Sequence, residues 1–186
     1  MRRIVAGLFM SLDGAVDGGP DGWHEPYLDA ELMEGINAGV AAADAIVLGT
    51  RTYLEFAELW PRQPRDNPMA RFMNDSPKYV ASSTLSSVEW SNSRLLSGDL
   101  SESLRELRRQ PGKDILIPGS PQLVGSVLRA GMLDELSLAI LPIVLGSGAC
   151  PLGEPNERVP LVLTESRALR SGVLSVTYRP TNTDNN

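Results

Sequence analysis

The chain is poor in the residues that build metal centres and covalent cross-links. It holds one cysteine, Cys150, and one histidine, His24. A single cysteine cannot close an internal disulfide, so the composition suits a reducing compartment. One His and one Cys fall short of the usual His/Cys zinc ligand sets, and no metal site is expected. Any Ser-His-Asp scheme would have to use His24. Positive charge is scarce as well: 17 Lys+Arg stand against 23 Asp+Glu, a formal net charge of −6. That balance speaks against a nonspecific hold on nucleic acid, which needs clustered Lys and Arg. No apolar run approaches the roughly 20 residues of a membrane span. The run Ile4 to Met10 lacks the length and cleavage pattern of a signal peptide. The expectation is a cytoplasmic protein with neither membrane nor nucleic-acid partners.

What is present reads as one domain over residues 1–179, followed by a polar tail, 180–186, expected to be disordered. Ile4 to Met10 is a buried strand, and the Gly-rich stretch Asp17 to Gly22 is a loop of the kind that serves as a lid. Leu28, Leu32, Ile36 and Val40 form one face of a helix. Ala45 to Leu48 is a second strand, and a short helix opens at Thr50. Pro61, Pro64 and Pro68 keep the next stretch irregular. Pro77 to Ala81 and, more weakly, Arg94 to Leu96 are strands. Asp99 with Glu102 marks a helix start, and Pro111-Gly112 stops that helix. Asp114 to Ile117 is a strand, followed by a helix with Leu123, Val124, Val127 and Leu128 on one side and Gly131 as its left-handed cap. The last third is strand-rich, with a hairpin at Arg170-Ser171-Gly172. Alternating strands and helices that finish in strands predict an α/β fold. Its sheet is mostly parallel and helix-covered, with antiparallel C-terminal strands.

In such a sheet, ligands bind beyond the carboxyl ends of the strands. Here those ends carry Ser11 to Gly14, Gly49 to Thr52, Ser82 to Thr84 and Pro118 to Ser120. Small residues and hydroxyls at strand-to-helix turns expose N–H donors, and a helix N-terminus adds partial positive charge. Arg51 adds a full charge with a fork suited to phosphate. The reading is a ligand carrying several phosphates laid across the strand ends. Neither the G-x-G-x-x-G fingerprint nor the Walker loop is present.

Six segments then stand out in order: Ser11 to Gly14, Leu48 to Tyr53, Lys78 to Leu85, Ile115 to Ser120, Gly131 to Leu136 and Leu141 to Gly148. This ordered set resembles the dihydrofolate-reductase-like family that includes the C-terminal reductase domain of riboflavin biosynthesis. The likeness runs from about Arg3 to Tyr178 and is nearest to the stand-alone branch, without a fused zinc deaminase. The resemblance implies a dihydrofolate-reductase-like three-layer fold and an NADPH cofactor. It further implies hydride transfer to a small planar heterocycle, pteridine or ribosylaminopyrimidine-like, and a homodimer. By the same likeness, Gly49, Thr50, Arg51 and Thr52 face the phosphates of the adenosine half. Ser82, Ser83 and Thr84 lie near the 2′-phosphate. Gly119 and Ser120, with Gln122 and Leu123 opening the next helix, hold the pyrophosphate. Ala15 stands where riboflavin-pathway reductases usually carry Lys, and Gly119-Ser120 where the cofactor turn is often Gly-Gly.

Asp13 and Asp29 are the candidate catalytic carboxylates, with Glu31 close by. The alternatives are a turn role for Asp13 and a place in the first helical turn for Asp29 and Glu31. Trp23 is the candidate for stacking on a planar substrate, or else an anchor for the lid. A second reading is a non-catalytic nucleotide- or pterin-binding protein on the same fold.

Overall fold

The computed structural model describes residues 1–16, 22–146, 152 and 158–181. Residues 17–21 of the Gly-rich stretch, Cys150, and residues 182–186 of the tail lie outside the described residues.

The elements run β1 (Ile4–Ser11), α1 (Ala30–Ala42), β2 (Ala43–Gly49), α2 (Thr50–Leu59), α3 (Pro68–Asp75), β3 (Lys78–Ala81), β4 (Ser93–Leu95), α4 (Leu100–Arg109), β5 (Asp114–Pro118), α5 (Pro121–Arg129), β6 (Glu135–Leu141), β7 (Leu161–Ala168) and β8 (Leu174–Pro180). The strands form one sheet in the order β4-β3-β2-β5-β1-β6-β8-β7. From β4 to β6 every pairing is parallel; β8 joins β6, and β7 joins β8, antiparallel. This is the architecture the alternation of elements predicts.

Strands covered on both faces need apolar side chains in both directions. Ile4, Ala6, Leu8, Ala45, Val47, Ile115 and Ile117 pack with Leu104 and Leu107 of α4 and Val124, Val127 and Leu128 of α5. On the opposite face Ile46, Leu48 and Val80 meet Tyr53 of α2, Met69 and Met73 of α3, and Trp90. Beside them Leu32 of α1 packs with Leu141, Leu169 and Val173. Three layers result.

The helix ends follow their local chemistry. Asp99 caps α4 by accepting from the Glu102 amide at 2.9 Å. Beyond α5, the Met132 amide reaches the Val127 carbonyl and the Gly131 amide the Leu128 carbonyl, with Gly131 at φ +64°. That is a Schellman closure, which a left-handed glycine permits.

Two sequence expectations are corrected. The proline-rich stretch does not stay irregular through Pro68: it becomes α3, because Asn67 accepts from the Met69 and Ala70 amides and Pro68 occupies the first turn. Leu28 is not part of the helical stripe. It precedes the cap Asp29 and is exposed.

Lys78 is fully buried at the start of β3. Its ammonium donates to the carbonyls of Met73 at 2.9 Å, Asn74 at 3.1 Å and Ser76 at 2.9 Å, which closes the C-terminal turn of α3. The same nitrogen lies 4.4 Å from the centre of the Trp90 ring.

Candidate active site

Parallel pairing brings the carboxyl ends of β3, β2, β5, β1 and β6 side by side along one edge of the sheet. The four turns singled out in the sequence therefore stand in a row, and hydrogen bonds join three of them, those after β2, β3 and β5. The Thr50 hydroxyl donates to Ser82 Oγ at 2.8 Å, joining the ends of β2 and β3. Ser82 Oγ also accepts from the Leu85 amide at 3.0 Å. The Gly49 amide donates to Ser120 Oγ at 3.0 Å, joining the ends of β2 and β5. The Gly119 amide donates to the Gly7 carbonyl at 3.0 Å, joining β5 to β1.

The helix caps distinguish this edge. Asp29, Asn67 and Asp99 cap α1, α3 and α4 with side-chain oxygens. The N-termini of α2 and α5 have no side-chain cap and no acid in the first turn. A helix start leaves its first amides without intrahelical acceptors and carries partial positive charge. Two such starts lie side by side here, joined through Ser120 and Gly49. Arg51, exposed in the first turn of α2, adds a positive charge at an end whose dipole already disfavours cations. An anion lying across both helix starts is favoured by both dipoles.

The Gly119-Ser120 turn supplies the approach. Gly119 has φ +70° and Ser120 has φ 57°, ψ 60°. A left-handed serine is a strained conformation, of the sort that clusters at functional sites. Ser120 thus adopts the backbone shape a second glycine would take, and its buried hydroxyl serves Gly49. Around it the packing is close. A Cβ on Gly49 would meet Ser120 at 3.5 Å, and one on Gly119 would meet Thr52 at 3.6 Å.

Of the expected cofactor residues, Thr50 is bonded to Ser82 and Gly49 to Ser120, Gly119 is bonded to Gly7, and Thr52 is buried beside Gly119. Ser83 and Thr84 extend from the same edge and are exposed. Gln122 is exposed in the first turn of α5, whereas Leu123 turns its side chain into the core.

Both candidate carboxylates carry structural bonds. Asp13 accepts from Ser11 Oγ at 2.7 Å and from the amides of Leu145 at 3.1 Å and Gly146 at 2.8 Å. These bonds, the Ser11 hydroxyl first, hold its carboxyl down at about 2. At neutral pH it is a carboxylate with no proton to give, and it fastens the end of β1 to the turn after β6. Asp29 caps α1 by accepting from the Leu32 amide at 2.8 Å. Glu31 pairs with Arg167 at 2.8 Å and accepts from the Arg170 amide at 3.1 Å, clamping α1 to the β7–β8 hairpin. Trp23 packs on the Leu32–Leu141–Leu169–Val173 cluster, the anchoring role. Its indole N–H is buried without an acceptor among the described residues.

Gly7 was not singled out from the sequence. It lies in the central strand, on the face opposite Ala6 and Leu8. No heavy atom comes within 4 Å of where its Cβ would be. Open space over a mid-sheet glycine, bonded directly to Gly119, continues the strand-end row toward α1. The available signal was a glycine interrupting an otherwise apolar strand, which marks close approach of a ligand or backbone. The shallow hollows of about 310 and 280 Å³ against α3 are lined by other residues, among them Pro68, Arg71, Phe72 and Asn74.

This arrangement defines the class: an α/β protein with the dihydrofolate-reductase-like fold. The chain belongs to the RibD C-terminal domain family, which it matches over residues 2–175. It is 26% identical over 182 residues to the uncharacterized protein YyaP of Bacillus subtilis (strain 168), covering 95% of this chain and 94% of that protein. Its fold is similar to that of a pyrimidine reductase-like protein from Corynebacterium diphtheriae, with a TM-score of 0.70 at 17% identity, covering 97% of this chain and 92% of the other. It is also similar to that of Schistosoma mansoni dihydrofolate reductase, with a TM-score of 0.57 at 15% identity over 97% and 99% of the two chains.

Proposed function

We propose that the protein is a cytoplasmic, homodimeric NADPH-dependent reductase of a small planar heterocycle, of pteridine or ribosylaminopyrimidine kind. The observation that carries this reading is the pair of uncapped helix starts, α2 and α5, joined by the Gly49–Ser120 bond. The family and the fold of its relatives support it. NADPH, when bound, supplies the hydride. The chain's own part is to bind, orient and exclude water.

In this reading the α5 amides of Gln122 and Leu123, with the Gly119-Ser120 turn, hold the pyrophosphate. Arg51, Thr50 and Thr52 face the phosphates of the adenosine half. Ser83 and Thr84, on the turn braced by Ser82, lie near the 2′-phosphate. The open face of Gly7 leaves room for a flat ring. Asp29, at the start of α1, is the candidate to pass a proton to the substrate. Asp13 is a positioning residue that holds the mouth in shape.

The test is a fluorescence titration with NADPH, followed by turnover with a pteridine or aminopyrimidine. Micromolar binding and loss of reduced-nicotinamide absorbance are expected. No binding of NADPH overturns the reading. The commitment of both candidate carboxylates to structural bonds favours a second reading, a binding protein without turnover. Tight NADPH binding with no hydride loss across both substrate classes would support that instead.

A further inference from the structure

The turn leading into α1 is fastened to the sheet by an aromatic stack. The His24 imidazole lies parallel to the Phe9 ring of β1, with 4.9 Å between centroids and 13° between planes. Trp23 meets the same imidazole edge-on at 6.0 Å. Phe9 shares the face of β1 that carries Gly7, so this stack borders the open space of the site. Gly22, at φ +60°, lets the chain enter the turn, and the Glu25 side chain folds back over it.

Trp23 buries apolar surface on Leu32 and Leu141, and its indole N–H is buried without an acceptor among the described residues. The half-buried His24 ring is the adjustable part. We propose that His24 is a positioning residue that seats the 22–28 turn: neutral and stacked on Phe9, it holds Trp23 against the sheet beside the site, and its protonation releases the turn.

The charges bear this out. Among the described residues, the groups packed on the ring are Phe9 and Trp23, both uncharged. Glu25, next along the turn, is the charge that acts on it. Burial lowers the imidazole below its usual value of about 6.5, and Glu25 only partly opposes this. The folded ring therefore binds its proton more weakly than the unfolded one. The seat is at full strength above about pH 6.5 and weakens as the pH falls through the lowered value.

The test needs no ligand, so a failure to bind NADPH leaves it intact. His24 is the chain's one histidine, so its ring protons give an unambiguous proton NMR titration. The expected result is a midpoint below 6.5, upfield-shifted ring protons, and a Trp23 indole N–H signal that moves with the same midpoint. Phe9→Leu should remove the part of the ring-current shift that Phe9 supplies. His24→Phe, a stacked ring that cannot titrate, should hold the Trp23 signal still across the same range. If Phe9→Leu folds poorly, the His24→Phe comparison decides alone. A midpoint at or above 6.5, or a Trp23 signal indifferent to His24, overturns the proposal.

Discussion

At the scale of single residues, four side chains play separable parts. Arg51 stands exposed in the first turn of α2, beside the row of strand-end turns. Arg51→Ala is expected to weaken NADPH by roughly tenfold to a hundredfold, the worth of a charge-assisted contact, and NADH by less. Isothermal titration with both cofactors checks this, and equal losses would remove Arg51 from the 2′-phosphate. Ser120 combines a strained backbone with a useful hydroxyl. Ser120→Ala keeps the strain and leaves the Gly49 amide without its acceptor, so a loss of about 1–3 kcal/mol in denaturant unfolding is expected. Ser120→Gly relieves the strain and should cost less. Asn caps a helix as well as Asp does, so Asp29→Asn isolates the acid from the cap. If Asp29 donates the proton, turnover should fall about 10²–10⁴-fold with the melting temperature unchanged. Undiminished turnover would leave Asp29 as a cap alone. Asp13 answers to acid. Its lowered value means that its stabilising part is present above the ordinary aspartate range and fades as pH falls toward about 2. The wild type should therefore lose its advantage over Asp13→Asn in acid unfolding between about pH 4 and 2.

At the scale of elements, legibility in the sequence tracked how local each cause is. The start of α4 was readable because Asp99 and Glu102 sit three residues apart, and the end of α5 because one glycine closes it. The strand-end turns were readable for the same reason: Gly, Ser and Thr advertise themselves within four residues. What hid was set by distant partners. The open face of Gly7 depends on β5 and α1, and the seat of His24 on Phe9, fifteen residues earlier in the chain. The helix α3 hid behind its own Pro68, whose first-turn role shows only once Asn67 is seen to cap it. Its far end rests on Lys78, which satisfies three carbonyls at once. Lys78→Ala should destabilise the protein by about 3 kcal/mol, read from thermal or urea unfolding, because buried acceptors are left unmet beside Trp90.

At the scale of the whole molecule, the sheet is unevenly finished. Its β4 end is short, whereas β7 is eight residues long and exposed along nearly all of its length. Val162 and Leu163 are 51% and 49% exposed there. An open edge of that length invites pairing with a copy of itself about a twofold axis. Light scattering at micromolar concentration should return about twice the 20.1 kDa of one chain. Leu163→Lys should push the population toward monomer if the edge is the contact. A wild-type monomer under those conditions would reject the dimer.

The central position of β1 also bears on how the molecule comes into being. Both of its ladders reach forward, to β5 about 110 positions later and to β6 about 130 positions later. At a synthesis rate of roughly 5–20 residues per second, the strand waits on the order of ten seconds for its partners. During that interval Ile4, Ala6 and Leu8 have no sheet to enter, and the β2–β3–β4 portion is complete before the middle of the sheet exists. In the order of synthesis the flank is therefore available to pair first, and β1 is the strand that waits longest for its partners.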